Sequence, residues 1–179
     1  METSYQTIDG RPVLRLERRI GHPVPAVWAA ITEKDDLAQW FPSTIEGELG
    51  PGQPLSFAFP GHDEIPDMEG RVTEFDPPRT LGFDWGEDHL RFELEPADGG
   101  EHTDLRLTVL LGSRDKAARD GAGWTVCLAR LEAVADGVRD PATLGRIGDG
   151  WREHYDEYSR RGFPASAPIP QAASEDSAV

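Results

Sequence analysis

Between Val13 and Ile20 apolar and polar side chains alternate. Leu14, Leu16 and Ile20 fall on one face and Val13, Arg15, Glu17 and Arg19 on the other. That period of two belongs to a strand with one buried face. Arg18 falls on the apolar face and breaks the pattern. Asp9-Gly10 just before it is a two-residue hairpin turn signal, so residues 1–9 are a candidate extra hairpin strand. Pro23 and Pro25 end the strand, and Pro25 suits the first turn of a helix, where no N–H partner is needed. Val24, Val27, Trp28 and Ile31 then recur at helical spacing. A second short helix, Lys34 to Trp40, carries Leu37, Trp40 and Phe41, and Pro42 closes it.

From Thr44 to Leu111 the pattern predicts a meander of six strands. Their apolar positions are Ile45 and Leu49, then Leu55, Phe57 and Phe59, then Gly70 and Val72. Leu81, Phe83 and Trp85 follow, then Leu90, Phe92 and Leu94, and finally Leu105, Leu107, Val109 and Leu111. Each set is spaced by two with polar residues between, so one sheet face is apolar and the other wet, as antiparallel sheets allow. The breaks carry turn chemistry: Gly50-Pro51-Gly52, Pro60-Gly61, Asp76-Pro77-Pro78, Gly86 and Asp98-Gly99-Gly100. A long helix is expected over about Arg114 to Asp136, with Trp124, Cys127, Leu128, Leu131, Val134 and Ala135 as its stripe and Gly137 near its end. A further amphipathic helix carries Trp151, Tyr155 and Tyr158, and the Ala-, Ser- and Pro-rich stretch from Pro164 reads as a disordered tail.

A sheet with one apolar face must cover it, and only the helix carrying Trp124 is long enough. The expected class is therefore α+β with a helix-grip architecture. A curved antiparallel sheet of about seven strands wraps on a long C-terminal helix, with two short helices after the first strand. The expected organisation is an N-terminal segment 1–9, a core domain 10–138, an added helix within 139–163 and a tail 164–179.

Charge and cysteine content narrow the function classes. The 179 residues carry a formal net charge of −15, a field that repels a phosphate backbone, so no nucleic-acid partner is expected. Apolar runs are short and broken by charge, so no membrane span is expected. With one cysteine, Cys127, no disulfide forms within the chain, and with a polar, acidic N-terminus the simplest setting is cytoplasmic.

The sequence resembles the SRPBCC superfamily (START-like, pollen-allergen-like), and within it the group named for homology to the activator of the heat-shock-protein-90 ATPase. The resemblance begins in the strand from Gly10 to Arg19 and continues through His22-Pro23, Val27-Trp28 and Ala30-Ile31-Thr32-Glu33. It then takes in Leu37-Ala38-Gln39-Trp40-Phe41-Pro42, Gly70-Arg71-Val72, Asp76-Pro77-Pro78-Arg79, Leu81 to Trp85 and Gly123-Trp124. These are packing and turn positions, so the resemblance implies a fold and a cavity rather than a reaction. Members of the superfamily bind lipids, sterols or polyketides, or catalyse cyclisation or hydrolysis in the same cavity. Co-chaperone activity in the eukaryotic namesake needs a second, N-terminal domain, and nothing in this sequence resembles it.

On this fold the expected cavity wall is Trp40, Phe41, Phe57, Phe59, Val72, Phe83, Trp85, Phe92, Trp124, Cys127, Leu128 and Leu131. Taken singly each is an ordinary core residue; the functional reading concerns the set. Three residues are candidate polar anchors for a ligand headgroup. Arg18 and Glu74 are charges at nominally inward positions, and His62 lies in a strand-connecting loop at the expected cavity mouth. For Arg18 and Glu74 the competing reading is a strand end in water, or a bulge that shifts the side-chain parity. The other histidines, His22, His89, His102 and His154, read as surface or loop residues, and no metal spacing, nucleophile elbow, phosphate loop or dinucleotide fingerprint is present. No catalytic residue, cofactor or metal is therefore assigned. Three functions remain: binding of a hydrophobic small molecule, a cavity enzyme of cyclase or hydrolase type, or a protein-interaction (co-chaperone-like) module. An enzyme needs two convergent polar groups inside, and an interaction module an exposed apolar patch.

Overall fold

The computed structural model describes residues 2–60, 65–140, 144 and 149–169. Its described strands form one eight-stranded antiparallel sheet in the order β1-β2-β8-β7-β6-β5-β4-β3. The strands are β1 Glu2–Ile8, β2 Arg11–Ile20, β3 Thr44–Gly47, β4 Pro54–Ala58, β5 Met68–Asp76, β6 Thr80–Trp85, β7 Asp88–Ala97 and β8 His102–Leu110. The expected six-strand meander is β3 to β8. The extra strand is β1, hairpinned to β2 through Asp9 and Gly10, both with positive φ (50° and 79°), as a tight hairpin turn between right-twisted strands requires. The short helices α1 (Val24–Thr32) and α2 (Lys34–Trp40) carry the chain from β2 to the far edge of the sheet, where β3 begins.

The long helix α3 (Ala117–Ala135), entered through a 3-10 turn at Arg114–Lys116, packs on β2, α1 and α2. Its buried Trp124, Leu128 and Leu131 belong to the same core as Leu14, Leu16, Phe83 and Phe92 from the sheet. Gly137 (φ 83°) ends it as expected: its N–H donates to Val134 O and that of Val138 to Ala133 O, satisfying carbonyls the helix end leaves open. The first half of α3 is buried nearly all round, because the last helix, α4 (Trp151–Arg160), covers its outer side. Gly121 permits this close approach; a Cβ there would stand 3.3 Å from the Tyr158 ring. Tyr158 hydroxyl lies 2.7 Å from Thr125 Oγ1 and donates to Thr3 Oγ1 at 3.0 Å, tying α4 to α3 and to the edge strand β1.

Two expectations need correction. Order does not stop at Pro164. Ala118 N–H donates to Pro164 O, Ala167 N–H donates to Asp115 O, and Ile169 packs on the core. Residues 164–169 therefore lie along the start of α3, and Pro164 O accepts from Ala118 N–H, a first-turn donor that has no partner within the helix. Residues 170–179 fall outside the described set. Glu74 is not inward. The β5–β6 register shifts between Val72 and Glu74, so Val72 stays buried while Glu74 turns to the outer face and accepts from Arg91 Nε at 3.0 Å.

Burial leaves one carboxylate at a cost. Asp120, in the first turn of α3, accepts from Arg119 Nε at 2.7 Å. Burial nevertheless raises its pKa above the ordinary 3.8; Arg119 and Lys116 oppose the rise and Asp88 adds to it. An acid with a raised folded-state pKa favours folding below its unfolded value, and that contribution is lost as pH rises through the folded value. Asp120→Asn, which keeps an acceptor for Arg119 without the charge, should therefore unfold at a higher temperature than the parent at pH 7. The gap should close as pH falls toward 3.8. Thermal unfolding of both proteins at pH 7 and pH 4 checks this, and a gap independent of pH would refute it.

Candidate functional site

The grip closes on a continuous network of aromatic rings. Phe41, which caps the C-terminus of α2, sits at its hub. Its ring centroid lies 5.5 Å from Trp40, 6.4 Å from Phe57, 6.0 Å from both Phe83 and Trp85, and 5.6 Å from Trp124. Phe83 stacks on Phe57 at 5.9 Å and on Phe92 at 6.2 Å, and Trp85 meets Trp124 edge-on at 5.5 Å and Phe59 at 6.3 Å. The rings come from α2, β4 and the residue after it, β6, β7 and α3, so only closure of the helix onto the sheet brings them together. All eight expected aromatic residues belong to it.

Burial divides the network. Trp40, Phe41, Phe57, Phe83, Phe92 and Trp124 are buried, as are Val72, Cys127, Leu128 and Leu131. These ring spacings are those of packed aromatic pairs, so this inner part is core. Phe59 and Trp85 are only half-buried, and there the network reaches the surface. Burial also pushes the Cys127 thiol up to about 12, which keeps it protonated and unreactive near neutral pH.

Of the polar anchors, Arg18 does face the helix: its guanidinium grips Glu132 of α3, with Nε donating at 2.8 Å. The pair explains how a charge tolerates the apolar face of β2, and Glu132 is the partner that the strand pattern alone did not reveal. Glu74 is removed from the site by the β5 bulge. His62 lies outside the described residues. Sequence reasoning missed two polar atoms in the aromatic region. Trp85 Nε1 and Ser43 Oγ are buried, and neither has a hydrogen-bond partner among the described residues. No sequence signal distinguished Ser43, which follows Trp40-Phe41-Pro42 as an ordinary turn residue.

The opposite face of the sheet is wet, as expected. A shallow concavity of about 430 Å³ there includes Glu17, Arg19, Glu93, Asp104 and Arg106 in its lining. Its arginines are already paired, Arg19 with Asp104 at 2.8 Å and Arg106 with Glu17 at 2.8 Å, so it reads as a cross-strand charge ladder. No described helix is long and apolar enough to cross a membrane.

Comparison with known proteins places this geometry. Residues 22–136 match the family described as activator of Hsp90 ATPase homolog 1-like protein. No curated protein matches the chain. Among solved structures, EF2215 of Enterococcus faecalis, a conserved protein of unknown function, superposes with a TM-score of 0.68 at 22% identity, over 89% of this chain and 91% of that one. CalU16 of Micromonospora echinospora gives 0.67 at 23% identity over 89% and 96%. BPP1335 of Bordetella parapertussis gives 0.63 at 22% identity over 96% and 97%. At these identities the likeness is one of fold.

Proposed function

We propose that this chain, which belongs to the family of activator of Hsp90 ATPase homolog 1-like proteins, binds an apolar small molecule at the open end of its aromatic network. One observation carries this reading: the ring network does not end inside the core but continues to the half-buried Phe59 and Trp85. An apolar wall with few polar groups is the usual lining of a small-molecule site. Phe59 and Trp85 are the two rings of the network with solvent beside them, and the buried inner rings form a packed floor beneath them. Lipid-, sterol- and polyketide-like compounds are the classes the superfamily resemblance suggests.

The interaction-module alternative lacks a comparable feature. Ile8 and Ile65 are the large apolar side chains left exposed among the described residues, and they do not form one patch in the sheet order: Ile8 ends the edge strand β1, whereas Ile65 precedes β5, with β2, β8, β7 and β6 between. The cavity-enzyme alternative would need a group able to move a proton, and Cys127, held as a thiol, does not serve.

Titration with a fatty acid, a sterol and an aromatic polyketide, followed by tryptophan emission, tests the proposal. At least one should give a saturable shift, because a ligand at Trp85 displaces water from an indole. Phe59→Ala should weaken that binding roughly three- to tenfold, the worth of one aromatic contact, with little change in unfolding temperature. No shift with any compound would refute the reading.

A further inference from the structure

The two unpartnered polar atoms define what the ligand must carry, an inference that rests on the binding reading above. Trp85 Nε1 and Ser43 Oγ are both shielded from solvent, and Ser43 as a whole is 6% exposed. A buried donor without an acceptor is costly, and native chains rarely keep one without a use. Phe at 85 and Ala at 43 would remove both unpartnered groups and keep an aromatic ring at 85. The two atoms also share a neighbourhood. Ser43 lies two residues after Phe41, and pairing of Thr44 with Ala58 puts it beside Phe59 at the same end of the β3–β4 ladder. Phe41 and Phe59 are themselves ring contacts of Trp85.

We propose that this site takes a neutral aromatic or polycyclic compound bearing a hydrogen-bond-accepting oxygen, with Trp85 Nε1 donating to that oxygen and Ser43 Oγ completing its hydrogen bonds. A carbonyl fits both partners, because it has two lone pairs and both side chains can donate. A carboxylate of the same shape is rejected. Among the described residues the rings touching Trp85 are Phe41, Phe59 and Trp124, none of them able to neutralise a charge, and the net charge of −15 repels anions at long range.

The test uses the full-length ¹⁵N-labelled chain and three probes of one ring size: 2-acetylnaphthalene, 2-ethylnaphthalene and 2-naphthoate. The Trp85 indole resonance is the one missing from Trp85→Phe. In the parent the ketone should bind roughly three- to tenfold tighter than the more apolar ethyl compound, one hydrogen bond's worth, and should move the Trp85 indole proton downfield. The naphthoate should bind weakest. Trp85→Phe should abolish the preference for the ketone without lowering the unfolding temperature, and Ser43→Ala should reduce it. Were Trp85→Phe not to fold, the indole shift in the parent and the Ser43→Ala titration decide. Equal binding of ketone and ethyl compound, a preference that survives in Trp85→Phe, or tightest binding of the naphthoate overturns this inference while leaving apolar binding standing. If none of the three binds, the binding reading falls and this one with it.

Discussion

Trp40→Ala is expected to lower the unfolding free energy by about 3–5 kcal/mol, the usual cost of deleting a large buried aromatic side chain. The ring is fully buried where α2 meets the sheet, edge-on to Phe41 and Phe92. Its Nε1 donates at 2.8 Å to Ala30 O, a carbonyl in the last turn of α1. Trp40 therefore does two things: it fills the inner end of the aromatic network and it fixes the angle between the two short helices. Trp40→Phe separates them. It keeps most of the packing but leaves the Ala30 carbonyl buried without this donor, and should cost about 1–3 kcal/mol. Urea unfolding at unchanged slope measures both. A midpoint for Trp40→Ala equal to the parent's would show that α2 does not dock as described. Against a total stability at the lower end of the usual range of about 5–15 kcal/mol, a loss of about 3 kcal/mol is enough to populate the unfolded state measurably at room temperature.

Leu131→Ala is expected to cost about 2–5 kcal/mol, because α3 holds this side chain fully buried one turn beyond Leu128 and no water replaces the lost methyls. The position within that range reports how far the helix relaxes onto the sheet. An exposed control on the same helix, Ala129→Ser, should stay within about 0.5 kcal/mol of the parent. Equal effects at 129 and 131 would mean that the helix presents a different face to the sheet.

Most of the fold was legible before any coordinates because it rests on local periodicity. The alternation in β2 and β4 to β8, the stripe Trp124, Leu128 and Leu131, and the turn residues Asp9-Gly10 and Gly137 each state a local requirement that the tertiary structure then meets. The aromatic residues were legible as a set for the same reason: each sat at an inward position of a recognisable element. The polar positions were not. Glu74 has the parity of Val72 in sequence, and only the bulge in β5, set by pairing with β6, turns it outward. Arg18 was seen to face inward, but its partner Glu132 lies 114 positions away.

Local patterning along the chain is enough to specify a helix-grip fold, with an apolar sheet face that one long helix must cover. Hydrophobic periodicity is a property of neighbours along the chain, and burial follows from it. Long-range packing sets the rest: six of the eight rings pack as core, the network opens at Phe59 and Trp85, and Trp85 Nε1 and Ser43 Oγ are left without partners among the described residues. Whether a polar atom is satisfied depends on which distant groups reach it, and no local pattern encodes that distance.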